Sequence, residues 1–226
     1  MSSPIALQRK AAPKKALVSL HRSLSHGHRV DVLAQHVARH VEVLVPQGPV
    51  RCLDIGCGDM TLAEAIQERV PRTDWTCIDV HDLPAHFRDD PRWHKYGRFD
   101  GRTIPHGDAA FDVAMLCDVL HHAPADAARL LAEARRVARY VLVKDHFEYG
   151  LYSRTMLRLM DFVGNWGYGI GIPERYFTRE AFAGLAAEQR LVITTLDCGL
   201  ELYQHLPIVG TLLRPDWQFI AVLRRG

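Results

Sequence analysis

The chain has 226 residues and a mass of 25.6 kDa; 48% of its residues are hydrophobic and 24% charged, enough for one full-sized domain with a sizeable core. Its 28 Lys and Arg against 26 Asp and Glu leave a formal charge of +2, too balanced for a protein whose whole surface grips nucleic acid. No apolar run reaches the ~18–20 residues of a membrane span, the first residues lack the apolar stretch of a secretory signal, and five cysteines without a CxxC read as reduced thiols in a cytoplasmic protein.

The first thirty residues hold six basic residues (Arg9, Lys10, Lys14, Lys15, Arg22, Arg29) and no acid. A helical run follows, with Val30, Leu33, Val37, Val41 and Leu44 at three- and four-residue spacing, stopped by Pro46, Gly48 and Pro49. Residues 1–46 therefore read as a basic, partly mobile arm and helix, and 47–226 as one domain. From Val50 the pattern alternates. Strands are predicted at Val50–Ile55, Trp75–Val80, Trp93–Phe99, Phe111–Cys117, from Tyr140 to about His146, at Leu191–Leu196 and at Trp217–Leu223. Helices are predicted at Thr61–Val70, Ala125–Ala138 and Thr178–Gln189, the last with Thr178 as N-cap. Such alternation means βαβ units and a mostly parallel sheet. One stretch breaks it: about 147–177 is rich in aromatics and glycine and reads as an inserted lid with a helix over Leu151–Val163.

The most informative segment is Asp54-Ile55-Gly56-Cys57-Gly58-Asp59-Met60, directly after a strand and before a helix. Glycines there let the backbone turn sharply and approach a ligand. Asp54 before them suits a ligand with a cationic amine. Asp79 closes the next strand, where a carboxylate can accept both hydroxyls of a ribose.

With two further segments, FDGRTIP (Phe99–Pro105) and FDVAMLCDVLHHAP (Phe111–Pro124), the chain resembles the class I S-adenosylmethionine-dependent methyltransferases acting on small molecules, over roughly Val50–Val143. Met60 departs from the pattern, standing where many members carry a third glycine. The resemblance implies an α/β, Rossmann-like doubly wound sheet of seven strands, mostly parallel with an antiparallel last strand, plus N-terminal helices and the lid. It implies S-adenosylmethionine as cofactor and S-adenosylhomocysteine as product. The cofactor site would draw on Asp54, Gly56, Cys57, Gly58, Asp79, Val80, Asp100 (facing the adenine amine), Gly101, Cys117 and Asp118; as nucleophiles Cys57 and Cys117 have no support and read as packing. The basic arm reads first as a solvated tail. It would otherwise cover the cofactor, with Arg29 meeting the methionine carboxylate, or touch anionic lipid or RNA.

Displacement at a sulfonium methyl needs orientation and no metal; a base helps where the acceptor carries a proton. Base candidates are His121 and His122 after the fourth strand and Asp145, His146 and Glu148 at the end of the fifth. His146 is the preferred one, because Asp145-His146 sits where the insertion begins. Tyr149, Trp166 and Tyr168 are the substrate candidates. The acceptor expected is a small molecule, aromatic or lipophilic. An RNA or protein methyltransferase and a non-catalytic cofactor-binding partner subunit stay open as alternatives, RNA being disfavoured by the lack of an Asn-Pro-Pro-Tyr-like motif.

Overall fold

The computed structural model describes residues 12–83, 89–164 and 171–226, and the side chains of the first helix from Gly27 onward. Trp166 and Tyr168 lie outside the described residues. In chain order the elements are α1 (Ala12–Leu44), β1 (Val50–Ile55), α2 (Thr61–Arg69), β2 (Thr73–Asp79), β3 (Tyr96–Arg98), β4 (Phe111–Cys117), α3 (Ala127–Val137), β5 (Ala138–His146), α4 (Leu151–Gly164), α5 (Arg179–Glu188), β6 (Leu191–Cys198), α6 (Val209–Leu212) and β7 (Gln218–Arg225).

The strands form a seven-stranded sheet in the order β3-β2-β1-β4-β5-β7-β6. β1 to β5 run parallel, and β7 pairs antiparallel with both β5 and β6. Period-2 alternation sends each strand's side chains to two separate cores. Cys52, Val113, Met115, Leu142, Ile220 and Val222 pack with α1 and α2. Leu53, Ile55, Ala114, Leu116, Val141, Val143 and Phe219 pack with α3 and α5 on the opposite face. The order reverses between β1 and β4, and in open α/β sheets ligands bind at the carboxyl ends of the strands there.

Two predicted elements differ. The first helix begins at Ala12 rather than near Val30. Pro13 lies in its first turn, where a missing N–H breaks no helical hydrogen bond, so that proline does not stop the helix. The third strand shrinks to Tyr96–Arg98 because Asp90 caps a short 3₁₀ helix at Pro91–Lys95, its carboxylate accepting from Arg92 N at 2.9 Å. At the predicted N-cap of α5, Thr178 Oγ1 accepts from Ala181 N at 3.1 Å.

Beyond β5 the chain leaves the sheet at Phe147 and returns at Phe177, where the two residues bridge and Glu148 N donates to Phe177 O at 2.8 Å. The Glu148 carboxylate accepts from Arg154 (2.9 and 2.8 Å), Arg175 Nε (3.0 Å) and Tyr176 N (3.0 Å), tying both ends of the excursion together. Those four bonds occupy the oxygens a base would need. α4 is the helix of this excursion.

Candidate active site

The glycine turn after β1 is anchored by backbone: Gly56 N and Cys57 N both donate to Ile78 O of β2, at 2.8 and 3.2 Å. Gly56 has φ +77°, and a Cβ there would stand 2.5 Å from Val119 Cγ2, so both conformation and space require glycine. Met60, at the start of α2, adopts φ +65° with its side chain buried in the same cluster as Ala63, Ile66 and Trp75. A non-glycine residue in that region costs about 1–2 kcal/mol. The buried thioether offsets it, and helix–sheet packing is made by a side chain where the resemblance leads one to expect a glycine.

Asp79 stands at the end of β2 with one carboxylate oxygen on Gly58 N (2.9 Å) and the other on His81 N (3.0 Å). Each oxygen keeps a lone pair for a hydroxyl. Asp54 is buried, and burial together with Asp79 and Asp59 pushes its carboxyl up to about 8. Val80 is 40% exposed, an apolar wall beside Gly101. Asp100 Oδ1 accepts from Arg102 N (2.8 Å) and Thr103 N (2.7 Å), which hold its carboxyl below the usual range. A glycine cradle that excludes a Cβ, a buried carboxyl lacking a cation and a diol acceptor fit S-adenosylmethionine. The thiols are kept protonated: Cys57 bonds toward Cys77 and is buried, and burial beside Asp118 pushes Cys117 up to about 12. Neither is an activated nucleophile.

The ends of β4 and β5 carry a different construction. Asp118, with φ +56°, pairs with Arg29 of α1 and with Lys144 Nζ at 2.5 Å. Arg29 is thereby directed at a carboxylate of the protein itself. Lys144, Asp145 and His146 are all buried. Asp145 accepts from His121 Nδ1 at 2.6 Å and from His146 N at 2.7 Å. Although burial opposes it, Asp145 with Asp118 and Asp161 holds the His121 imidazole above its ordinary 6.5. The other nitrogen, His121 Nε2, has no hydrogen-bond partner and lies 3.5 Å from Asp161 Oδ2 of α4, which accepts from the Tyr176 hydroxyl at 2.5 Å. His146 is lowered by burial and by Lys144, whose Nζ stands 3.4 Å from its Nε2. His122 Nδ1 donates to Gly171 O at 3.2 Å. Tyr149 is half exposed, its hydroxyl donating to Asp216 O at 3.4 Å and accepting from Arg179 Nε at 3.1 Å.

Asp118, His121 and His146 point ligand atoms at one another, as do His121, His122 and Asp161. Arg29 and Lys144 already balance Asp118, which makes the first set a poor cradle for a cation. Beside the 3₁₀ turn Leu120–His122 lies a cavity of about 500 Å³, with Leu120, His121, Arg175, Tyr176, Phe177 and Leu185 in its wall. His121 and Tyr176 thus belong to both the cavity and the charged cluster. Sequence reasoning missed Lys144, Asp161 and Tyr176 as site residues. Lys144 alone left a signal, a cation directly after the apolar run Val141–Val143 of β5.

Residues 53–140 match the family model described as a methyltransferase domain. No curated protein sequence matches the chain. Among solved structures, the Burkholderia thailandensis 1,6-didemethyltoxoflavin-N1-methyltransferase, solved with 1,6-didemethyltoxoflavin and S-adenosylhomocysteine, is 16% identical over 99% of this chain and 94% of that one, with a TM-score of 0.61. The plantazolicin methyltransferase BpumL, in complex with S-adenosylhomocysteine, is 15% identical over 96% and 91% (TM-score 0.62). A Haloferax volcanii methyltransferase in complex with its Trm112 activator is 12% identical over 98% and 100% (TM-score 0.65). These likenesses carry the fold, and the matched segment, which holds Asp54, Asp79, Asp100 and Asp118, makes residues 53–140 a methyltransferase domain, in agreement with the resemblance to the class I S-adenosylmethionine-dependent methyltransferases.

Proposed function

We propose that this enzyme methylates a hydroxyl or amine of a small, largely apolar molecule, with His121 taking the proton that the acceptor gives up. One observation carries the reading: the Asp145–His121 pair is buried at the carboxyl ends of β4 and β5, its Nδ1 fixed by Asp145 and its Nε2 left without a hydrogen-bond partner. An aspartate that holds one imidazole nitrogen fixes the tautomer and leaves the other nitrogen as the base. The cavity beside His121 has the size of a small-molecule site, and Tyr176 and Phe177 give its wall an apolar character. The bound sulfonium supplies an electrophilic methyl group. The residues at the site do the rest: Asp54 and Asp79 hold the donor, α4 excludes water, and Nε2 of His121 receives the proton and returns it to solvent. In the closed arrangement Asp161 covers Nε2, so α4 shifts for the acceptor to reach it.

His146, the base preferred from sequence, is assigned a supporting part, since it lies beneath the cluster and beside the Lys144 ammonium. The acceptor is found by transfer of labelled methyl from S-adenosylmethionine into a metabolite extract, followed by mass identification of the product. His121→Ala is then expected to lower turnover by about 10²–10⁴-fold with cofactor affinity unchanged. Because its pKa is raised and the base must be neutral, turnover is expected to climb with pH through a value above 6.5 before levelling. Equal turnover in variant and parent, or a flat profile from pH 6 to 9, overturns the assignment.

A further inference from the structure

Among the described residues, His121, His122 and Asp161 bring their ligand atoms within 4.8 Å of one another, and the buried pair in that set is spaced wrongly for a hydrogen bond. With Nδ1 donating to Asp145 at 2.6 Å, neutral His121 turns the lone pair of Nε2 towards Asp161 Oδ2, so that two acceptors face each other away from water. A proton shared between them would draw the two atoms to the ~2.7–2.9 Å of a charge-assisted bond. They stand 3.5 Å apart, and Nε2 has no hydrogen-bond partner. Two ligands held at 2.0–2.2 Å by a tetrahedral zinc ion lie about 3.4 Å from each other. The gap has the width of an ion.

The neighbours fit the same reading. His122 follows His121 on the 3₁₀ turn, its ring centroid 4.1 Å away, and adds a second imidazole. Asp145 on Nδ1 of His121 and the Tyr176 hydroxyl on Asp161 are the outer partners that metal-bound imidazoles and carboxylates carry. Two buried carboxylates, Asp145 and Asp161, flank the His121 ring, whereas Asp118 in the adjoining cluster is already matched by Arg29 and Lys144. Two imidazoles and one carboxylate select zinc and its transition-metal neighbours over magnesium and calcium, which prefer oxygen alone.

We propose that His121, His122 and Asp161 form a site for a divalent ion of the zinc class, which clamps α4 onto the ends of β4 and β5. Such an ion takes the Nε2 lone pair assigned above to the acceptor's proton, so it should inhibit methyl transfer; that consequence rests on the base assignment, while the site itself does not. The full chain, stripped with EDTA and dialysed, is titrated with cobalt(II) in the spectrophotometer and with zinc(II) in the calorimeter. One ion should bind per chain, with the intense visible bands of tetrahedral cobalt, and zinc should raise the urea midpoint. Asp161→Asn and His122→Gln should each weaken binding by at least the roughly 10–100-fold that loss of an outer partner costs, and Tyr176→Phe by about tenfold. Circular dichroism and S-adenosylhomocysteine binding confirm that each variant is folded. A parent that binds no ion, or that gives only the pale bands of octahedral cobalt, overturns the proposal. So does an affinity left unchanged by Asp161→Asn and His122→Gln, because the ion then sits elsewhere. Zinc bound at this site with methyl transfer at full rate would instead overturn the base assignment and leave the site standing.

Discussion

Along one row of strand ends, the protein builds two half-sites by opposite means. At β1 and β2 the geometry comes from backbone: two amides on Ile78 O, a glycine at φ +77°, and an aspartate that caps Gly58 N and His81 N. At β4 and β5 it comes from side chains far apart in sequence, where Arg29, Asp118, Lys144, Asp145, His121 and Asp161 neutralise one another in a largely buried cluster. The first half-site resists change because its shape is local. The second depends on every charge having its partner, since a buried charge left alone costs far more than the pair ever contributed.

The sharpest way to break that contrast is Lys144→Met. Removing the cation 2.5 Å from Asp118 should destabilise the fold by about 3 kcal/mol, the low end for a broken buried pair because Arg29 remains. A urea midpoint equal to that of the parent would show the charge cluster to be dispensable. Asp79→Ala tests the backbone-built half. It should leave the urea midpoint nearer to the parent's, but weaken S-adenosylmethionine and S-adenosylhomocysteine by roughly 1.5–3 kcal/mol, read by calorimetry. Unchanged heats for both ligands would remove Asp79 from the cofactor site.

The third test is a pH dependence. With Asp54 pushed up to about 8, its carboxyl is protonated near pH 6, and the cationic amine of the cofactor favours the ionised form. Affinity should therefore rise with pH by up to about tenfold per unit, until the carboxyl is ionised or the ligand's own amine starts to lose its proton. The same shift makes the free protein less stable as pH rises from about 4 towards 8, because the unfolded carboxyl gives up its proton near 3.8 while the folded one keeps it. An affinity flat between pH 6 and 8 would mean that Asp54 meets no cation.

What could be read from sequence follows the same division. Asp54 to Gly58 and Asp79 were legible because turn chemistry and strand ends leave local marks, and Phe111–Cys117 was found with its observed boundaries because every second residue is apolar on each face. β3 was overdrawn, since a capped 3₁₀ turn and a three-residue strand leave little periodicity. His121 and His146 were both visible as histidines, but nothing local tells which of them finds an aspartate on Nδ1 and which finds a lysine. Asp161 and Tyr176 meet through folding alone, fifteen residues apart.

The position of β7 bears on how the chain is made. β7 is synthesised after β6 yet lies between β5 and β6, and it provides the sheet pairing of β6. While a nascent chain emerges residue by residue, β1 to β5 can align as their segments leave the ribosome, but β5 keeps a bare edge and β6 has no neighbour until residues 218–225 are free. The buried rows on either side of that gap, Val141 and Val143 with Ala221 and Leu223, stay wet for the same interval. The protein is therefore most open to edge-to-edge aggregation in the interval after β6 has been made and before β7 has emerged, when the apolar edge of β5 waits for its partner.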